Sequence, residues 1–187
     1  MTAAGVDFDF SIYDTEECHA SLHSIFFDME NAFPRVWSYR ILTILHQLGL
    51  RDAFPILLKN YLLDPTFRVR ASNHYSSIPS HENGIPQGFP LCGTLFLIAI
   101  NDVTKVIHHP IHRILFFEDL SMHLRFSKPQ RAFRILRSTT NQIHEWLTPH
   151  GFRIATSKTK LIIFQKTRTS HPIPESSSSK YYYPSRR

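Results

Sequence analysis

Glycine is scarce in this chain, with six residues in 187, which argues against a flexible repeat. Cysteine is scarcer still. Cys18 and Cys92 form no disulfide framework and no recognisable metal-ligand spacing, and a reduced, intracellular setting suits them. Long apolar runs are missing as well. The longest, Leu91 to Ile100, is half of the roughly 20 residues a membrane-crossing helix requires. The segment Met1 to Thr15 is acidic and lacks the basic and then apolar regions of a secretory leader. A soluble protein of the nucleus or cytoplasm is expected, neither secreted nor membrane-bound.

Acidic residues run out towards the C-terminus. From Arg125 onward only Glu145 and Glu175 face thirteen Lys and Arg, whereas thirteen acids and eight bases precede Arg125. A basic half suggests a polyanionic partner, most simply nucleic acid, although a solvated surface explains many such biases. What is plentiful is apolar: 42% hydrophobic residues, fifteen of them Phe. That is enough for a packed core and too much for a disordered chain.

Periodicity orders the chain. His23 to Phe27 reads as a buried strand ending at Asp28. Asn31 to Gly49 has helical spacing through Val36, Ile41, Leu42, Leu45 and Leu48, with Gly49 as the stop. Asp52 to Leu63 reads as a second helix, and Thr66 to Ser72 alternates like a half-exposed strand. The loop Gly84 to Gly88 opens an apolar helix from about Leu91 to Val106. Arg113 to Phe117 and Leu120 to Arg125 form a hairpin pattern with Glu118 and Asp119 at its tip. Lys128 to Leu147 is amphipathic, with Ala132, Ile135, Leu136, Ile143 and Trp146 opposite Arg131, Arg134 and Arg137. Leu161 to Phe164 is a last strand. Residues 1–19 are a poorly defined N-terminal remnant, 20–166 the folded domain, and 167–187 a disordered tail rich in Ser, Tyr and Pro. The order β, α, α, β, α, β, β, α, β implies an α+β domain, an antiparallel sheet backed by helices.

Three blocks carry chemistry. Ile25 to Phe33 puts an acid, Asp28, at a strand end with an aromatic five residues on. Gly84-Ile85-Pro86-Gln87-Gly88 runs into Pro90-Leu91. Leu115 to Leu120 sets Glu118 and Asp119 in an apolar hairpin. Carboxylates from separate strands aimed at one point suit Mg²⁺, which takes oxygen ligands from one or two carboxylates and from substrate phosphates. Two such ions about 4 Å apart clamp the attacking and leaving oxygens of a phosphoryl transfer. A glycine-rich loop lets backbone approach a nucleotide unobstructed. Alone, Asp28 reads as a helix cap and Glu118-Asp119 as a solvated turn; the joint order of the blocks favours the catalytic reading. His108 to His112 is read as a loop, since Pro110 breaks any helical face and no cysteine or acid stands at ligand spacing.

These blocks resemble the palm motifs of reverse transcriptases from jockey-type non-LTR retrotransposons. Asp28-Met29-Glu30-Asn31-Ala32-Phe33, followed by Arg35-Val36-Trp37, is similar to D-x-x-K-A-F-D-R-V-W. Asn83 to Leu91 resembles G-x-P-Q-G-S-P-L, with the T-L-F and I-N-D that follow it at Thr94-Leu95-Phe96 and Ile100-Asn101-Asp102. Leu115 to Leu120 stands where the family has L-F/Y-A-D-D-L. Gly151-Phe152, Lys158-Thr159-Lys160 and Ile163-Phe164 match the closing block. The resemblance covers roughly residues 20 to 166. It implies a ferredoxin-like palm that copies an RNA template onto a DNA primer from deoxynucleoside triphosphates, with two Mg²⁺ ions as cofactor or Mn²⁺ in their place. Asp28 would bind both metals beside the Met29 carbonyl, and Glu118 and Asp119 would complete the set. Phe33 would lie under the incoming sugar and exclude a 2′-hydroxyl. Gln87 and Gly88 would border the nascent base pair, and Lys158 would stand near the departing pyrophosphate.

The departures matter. Glu118 replaces an Asp, Phe117 a small residue, Phe89 a Ser, and Pro34 an acid that is not a metal ligand. An added methylene displaces a carboxylate by roughly 1 Å where catalytic geometry must hold to about 0.5 Å. The 27 residues before Asp28 are too few for the family's fingers, and the tail stands where a thumb would follow. Impaired catalysis is therefore expected, and the alternative is a catalytically dead nucleic-acid-binding remnant of the same element.

Overall fold

The computed structural model describes residues 20–63, 68–77, 83–86, 88, 90–164 and, for the backbone, 180–182. The chain divides into two compact units.

The first unit comprises Met1–Glu30, Asp102–Pro149 and Arg153–Arg187. Its centre is β1, Ser21–Phe27, with buried residues on both faces: Leu22 and Ser24 on one, His23 and Phe27 on the other. Antiparallel to it run β5, Asp119–Phe126, and β6, Lys160–Phe164, one on each flank. Outside β5 lies β4, His112–Phe116, also antiparallel.

The other edge departs from expectation. Lys180–Tyr182 forms a short strand, β7, parallel to β6, giving the sheet order β4-β5-β1-β6-β7. The disordered tail predicted for 167–187 therefore does not hold for these three residues. The unpaired edge of β6 offers ladder partners that a serine-rich composition does not advertise. The rest of 167–187, and residues 1–19, lie outside the described residues.

Among the described residues of this unit, one helix backs the sheet. Its range is Pro129–Leu147, with Pro at the first turn, where no backbone donor is lost. Ala132, Leu136, Thr139, Ile143 and Leu147 are buried at steps of three and four, and the helix packs on β5. Ile135 and Trp146, read as core, are half-buried; Arg131, Arg134 and Arg137 are exposed as expected. Burying a side chain such as Leu136, Ile143 or Leu147 contributes about 1.5–3 kcal/mol each. On the sheet side His23 is fully buried, edge-on to Phe133 of this helix at 5.4 Å between ring centroids.

The second unit, Asn31–Asn101 with His150–Phe152, holds three helices among the described residues. The first, α1, is Ser38–Gln47; α2 is Ala53–Leu62; α3 is Cys92–Ile100. The Pro129–Leu147 helix is then α4. α1 packs against both α2 and α3, burying Ser38, Ile41 and Leu45.

Three boundaries correct the sequence reading. Asn31 to Trp37 is turn and coil, not helix: Asn31 sits at φ 50, and Pro34 follows. Val36, assigned to the helix, is buried in this turn region instead. The apolar helix ends at Ile100, and Asn101–Val106 continues as a 3-10 helix. The strand read over 66–72 is a small hairpin, Arg70–Ala71 (β2) against His74–Tyr75 (β3), with residues 64–67 outside the described set.

Candidate active site

Strand register brings the predicted acids together. The β1–β5 ladder closes with Phe27 opposite Leu120, so one step further sets Asp28 level with Asp119. Side chains alternate across a strand, so Asp28, Phe26 and Ser24 share one face of the sheet with Asp119, Ser121 and His123.

Glu118 is the second residue of the two-residue turn that closes β4 onto β5, where Phe116 pairs with Asp119. Phe117, the first turn residue, is held at φ 51. The turn demands a residue tolerant of the left-handed region, and a bulky aromatic is among the poorest choices. Its ring meets that of Phe116 edge-on, centroids 4.8 Å apart.

The electrostatics reflect this grouping. The Asp119 carboxyl is held above its usual range, first by partial desolvation, then by the negative charges of Glu118 and Asp28. The residue as a whole is exposed, so the desolvation is incomplete. Like charges gathered at a strand end raise a carboxyl's proton affinity until a cation arrives.

Asp28 has a cationic neighbour. Its carbonyl accepts the Ala155 amide at 2.8 Å, and the Ala155 carbonyl in turn accepts the amides of Lys158 and Thr159. This tight turn delivers the Lys158 ammonium to 3.7 Å from Asp28 Oδ1. Both side chains are well exposed, so the pair contributes little to stability; its significance is placement.

Met29 forms an isolated bridge with Ile154, flanked by the Asp28 carbonyl to the Ala155 amide and the Glu30 amide to the Arg153 carbonyl. Those bonds use the 153–155 side of the strand. Backbone alternation therefore turns the Met29 carbonyl the other way, towards the side on which β5 lies.

Among the described residues no three His, Cys, Asp or Glu side chains form a ready-made metal cage. Mg²⁺ does not require one, since it is commonly held by one or two carboxylates together with substrate phosphates and water. Asp28, Asp119 and the Met29 carbonyl are hard oxygen donors and fit that pattern. Glu118, half-buried in the turn, reaches from a different backbone position and on a longer side chain than the Asp of the family pattern.

Of the nucleotide-binding candidates, Met29 belongs to the first unit, and Phe33, Gln87 and Gly88 to the second. Phe33 is half-buried and packs on Phe96 at 4.9 Å between centroids, while Phe96 meets Phe152 at 5.9 Å. The Phe33 carbonyl accepts the Ile85 amide, the Val36 carbonyl accepts the Gly84 amide, and the Ser38 hydroxyl donates to the Gly84 carbonyl. The glycine loop is thereby pinned to the segment carrying Phe33. Tyr61 of α2 donates to the Pro86 carbonyl at 3.3 Å. Gly88 is exposed at φ +95 with nothing within 4 Å of a Cβ position, so its freedom serves the turn. Gln87 lies outside the described residues.

Residues 5–181 match the reverse transcriptase (RNA-dependent DNA polymerase) family. The chain belongs to that family. Among curated relatives, this reverse transcriptase chain is 34% identical over 90 residues to a probable RNA-directed DNA polymerase from transposon BS of Drosophila melanogaster, covering 48% of the chain and 9% of that protein. It is 26% identical over 184 residues to that of transposon X-element, covering 90% and 19%, and 25% identical over 153 residues to that of mobile element jockey, covering 79% and 17%, both also from Drosophila melanogaster. The chain thus spans less than a fifth of the length of the relatives it matches. In fold it resembles apo telomerase from Candida tropicalis, with TM-score 0.64 and 15% identity over 95% of this chain and 36% of that one. A Candida tropicalis telomerase in complex with a telomeric RNA fragment gives TM-score 0.59 at 14% identity, over 86% and 28%.

The sequence reading missed one polar cluster in the reverse transcriptase fold. His123, opposite Ser24 in the ladder, is buried with Ser24 and Ser121 on the face that carries Asp28 and Asp119. Single polar residues inside strands were the available signal, but their partnership spans 99 positions and no local pattern reveals it. No helix among the described residues is long and apolar enough to cross a membrane.

Proposed function

We propose that this chain supplies the palm of a retrotransposon reverse transcriptase, joining deoxynucleotides to a DNA primer on an RNA template by two-metal nucleotidyl transfer. The level placement of Asp28 and Asp119 at adjacent strand ends carries the reading. Two divalent ions, when bound, would activate the primer hydroxyl and stabilise charge on the transferred and leaving phosphates. Asp28, Asp119 and the Met29 carbonyl would hold them, with Glu118 as a weaker contributor. Lys158, on an exposed turn beside Asp28, would neutralise or protonate the departing pyrophosphate. Phe33 would limit space at the sugar, and Gln87 and Gly88 would border the new base pair. Nuclear or cytoplasmic residence follows from this role.

Glu118 and Phe117 weaken the site. Displacing one reacting group by about 1 Å can cost about a hundredfold in rate, and positioning supplies much of phosphoryl-transfer catalysis. The test is primer extension on RNA with Mg²⁺, using this palm fused to the fingers and thumb of a related element. Glu118→Asp with Phe117→Ala should raise extension by about a hundredfold, and Asp28→Asn should abolish it. Extension that survives Asp28→Asn would refute the assignment.

A further inference from the structure

β1 presents a problem of register. It carries apolar residues on both faces, with Leu22 and Phe26 on one and Ile25 and Phe27 on the other. Hydrophobic burial specifies register strongly only where one face is polar, so apolarity alone distinguishes poorly between neighbouring alignments here. Asp28 nevertheless has to stand level with Asp119. A slip of two residues keeps every side chain on its face but moves Asp28 opposite residue 117 or 121, roughly 7 Å away along the strand.

One interaction depends on the observed alignment. His123 Nδ1 lies 2.9 Å from Ser24 Oγ across the ladder, and its Nε2 lies 3.0 Å from Ser121 Oγ on its own strand. All three side chains are buried, His123 at 3% exposure and Ser24 at 0%. A neutral imidazole donates from one nitrogen and accepts at the other, so both contacts can be satisfied at once. Phe26 closes over the ring edge-on at 5.7 Å. After a two-residue slip His123 would oppose Leu22 or Phe26, and a buried imidazole would lose its cross-strand partner, which is costly inside a protein. Buried polar groups that specify register at some expense in stability are well attested.

We infer that the Ser24–His123–Ser121 network is a register lock that positions Asp28 level with Asp119, making His123 a positioning residue for the acid site. The inference rests on the reading of those acids as metal ligands for its consequence, but not for its geometry. The lock sits four residues before Asp28 and four after Asp119, so it touches neither acid and acts through the ladder between β1 and β5.

The test compares the parent chain with Ser24→Ala, His123→Phe, His123→Gln and Leu136→Ala, the last a core change on the α4 side that lowers stability without touching the network. Two quantities are read on folded protein: the cross-strand nuclear Overhauser contact between Asp28 and Asp119, and the affinity for Mn²⁺ from its paramagnetic broadening. Ser24→Ala and His123→Phe should weaken the contact and bind Mn²⁺ about tenfold less tightly. His123→Gln, which keeps a donor and an acceptor, should recover most of both, and Leu136→Ala should match the parent. Parent-like contact and affinity in Ser24→Ala and His123→Phe would overturn the inference, as would an equal loss in Leu136→Ala. If His123→Phe does not fold, Ser24→Ala decides. If the parent binds no Mn²⁺, the metal reading fails and the Asp28–Asp119 contact alone judges the lock.

Discussion

Acid should unfold this protein well before its carboxylates are all protonated, and His123 sets much of the effect. Burial, and secondarily the nearby His112, lowers its pKa from the ordinary 6.5 to about 4. The native state therefore holds it neutral, while the unfolded chain protonates it near 6.5. Stability from this group is fully present above pH 6.5 and is lost as pH falls through the window from 6.5 to about 4. The whole interval corresponds to about 3 kcal/mol, of which about 2.5 is gone by pH 4.5. His23 pulls in the same direction. Burial lowers its pKa as well, and its ring nitrogens lie near the Ser21 and Leu124 backbone without well-formed hydrogen bonds. Asp119 pulls the opposite way: its raised carboxyl gains stability as pH falls towards the ordinary 3.8. Being exposed, it offsets the histidines only partly. Against a total stability of about 5–15 kcal/mol, the histidine loss is large. Urea denaturation at pH 7.5 and 4.5 reads it directly, and His123→Gln should flatten the profile by removing the titrating group. Equal midpoints at the two pH values, or a His123→Gln profile as steep as the parent's, would refute the reasoning.

Two backbone positions give further tests. At residue 117 the positive φ makes Gly the better substitute, so Phe117→Gly should be more stable than Phe117→Ala by about 1 kcal/mol in thermal melts, because both lose the same ring. Gly151, at φ +83 with the Arg35 carbonyl 3.3 Å from a Cβ position, should resist replacement. Gly151→Ala should destabilise by about 1–2 kcal/mol in urea denaturation, and a neutral result would show the segment free to relax.

The elements legible in the sequence were those whose own residues carry a period. The α4 stripe through Ala132, Leu136 and Ile143 and the β1 and β5 runs stand where the pattern put them, within a residue or two. The failures have local causes. Asn31 adopts a left-handed conformation, and Pro34 follows it, so the apolar spacing across Val36 belongs to a turn. The strands at Arg70–Ala71 and His74–Tyr75 are two residues each, too short for alternation to register. β7 draws its pairing from the edge of β6 and not from its own composition. Asp28 and Asp119 became candidates through the order of their motifs, since nothing local links strand ends so far apart in sequence. The Ser24–His123–Ser121 network belongs to no motif, and only the ladder reveals it.

The central claim is that the strand ends carrying Asp28 and Asp119 hold divalent metal. Crystals grown with Mn²⁺ and measured at its absorption edge test this without requiring turnover. The account predicts an anomalous peak within about 2–2.3 Å of carboxylate oxygens from both Asp28 and Asp119, absent in Asp28→Asn. No peak there, or a peak only at His108, His109 and His112, would contradict it.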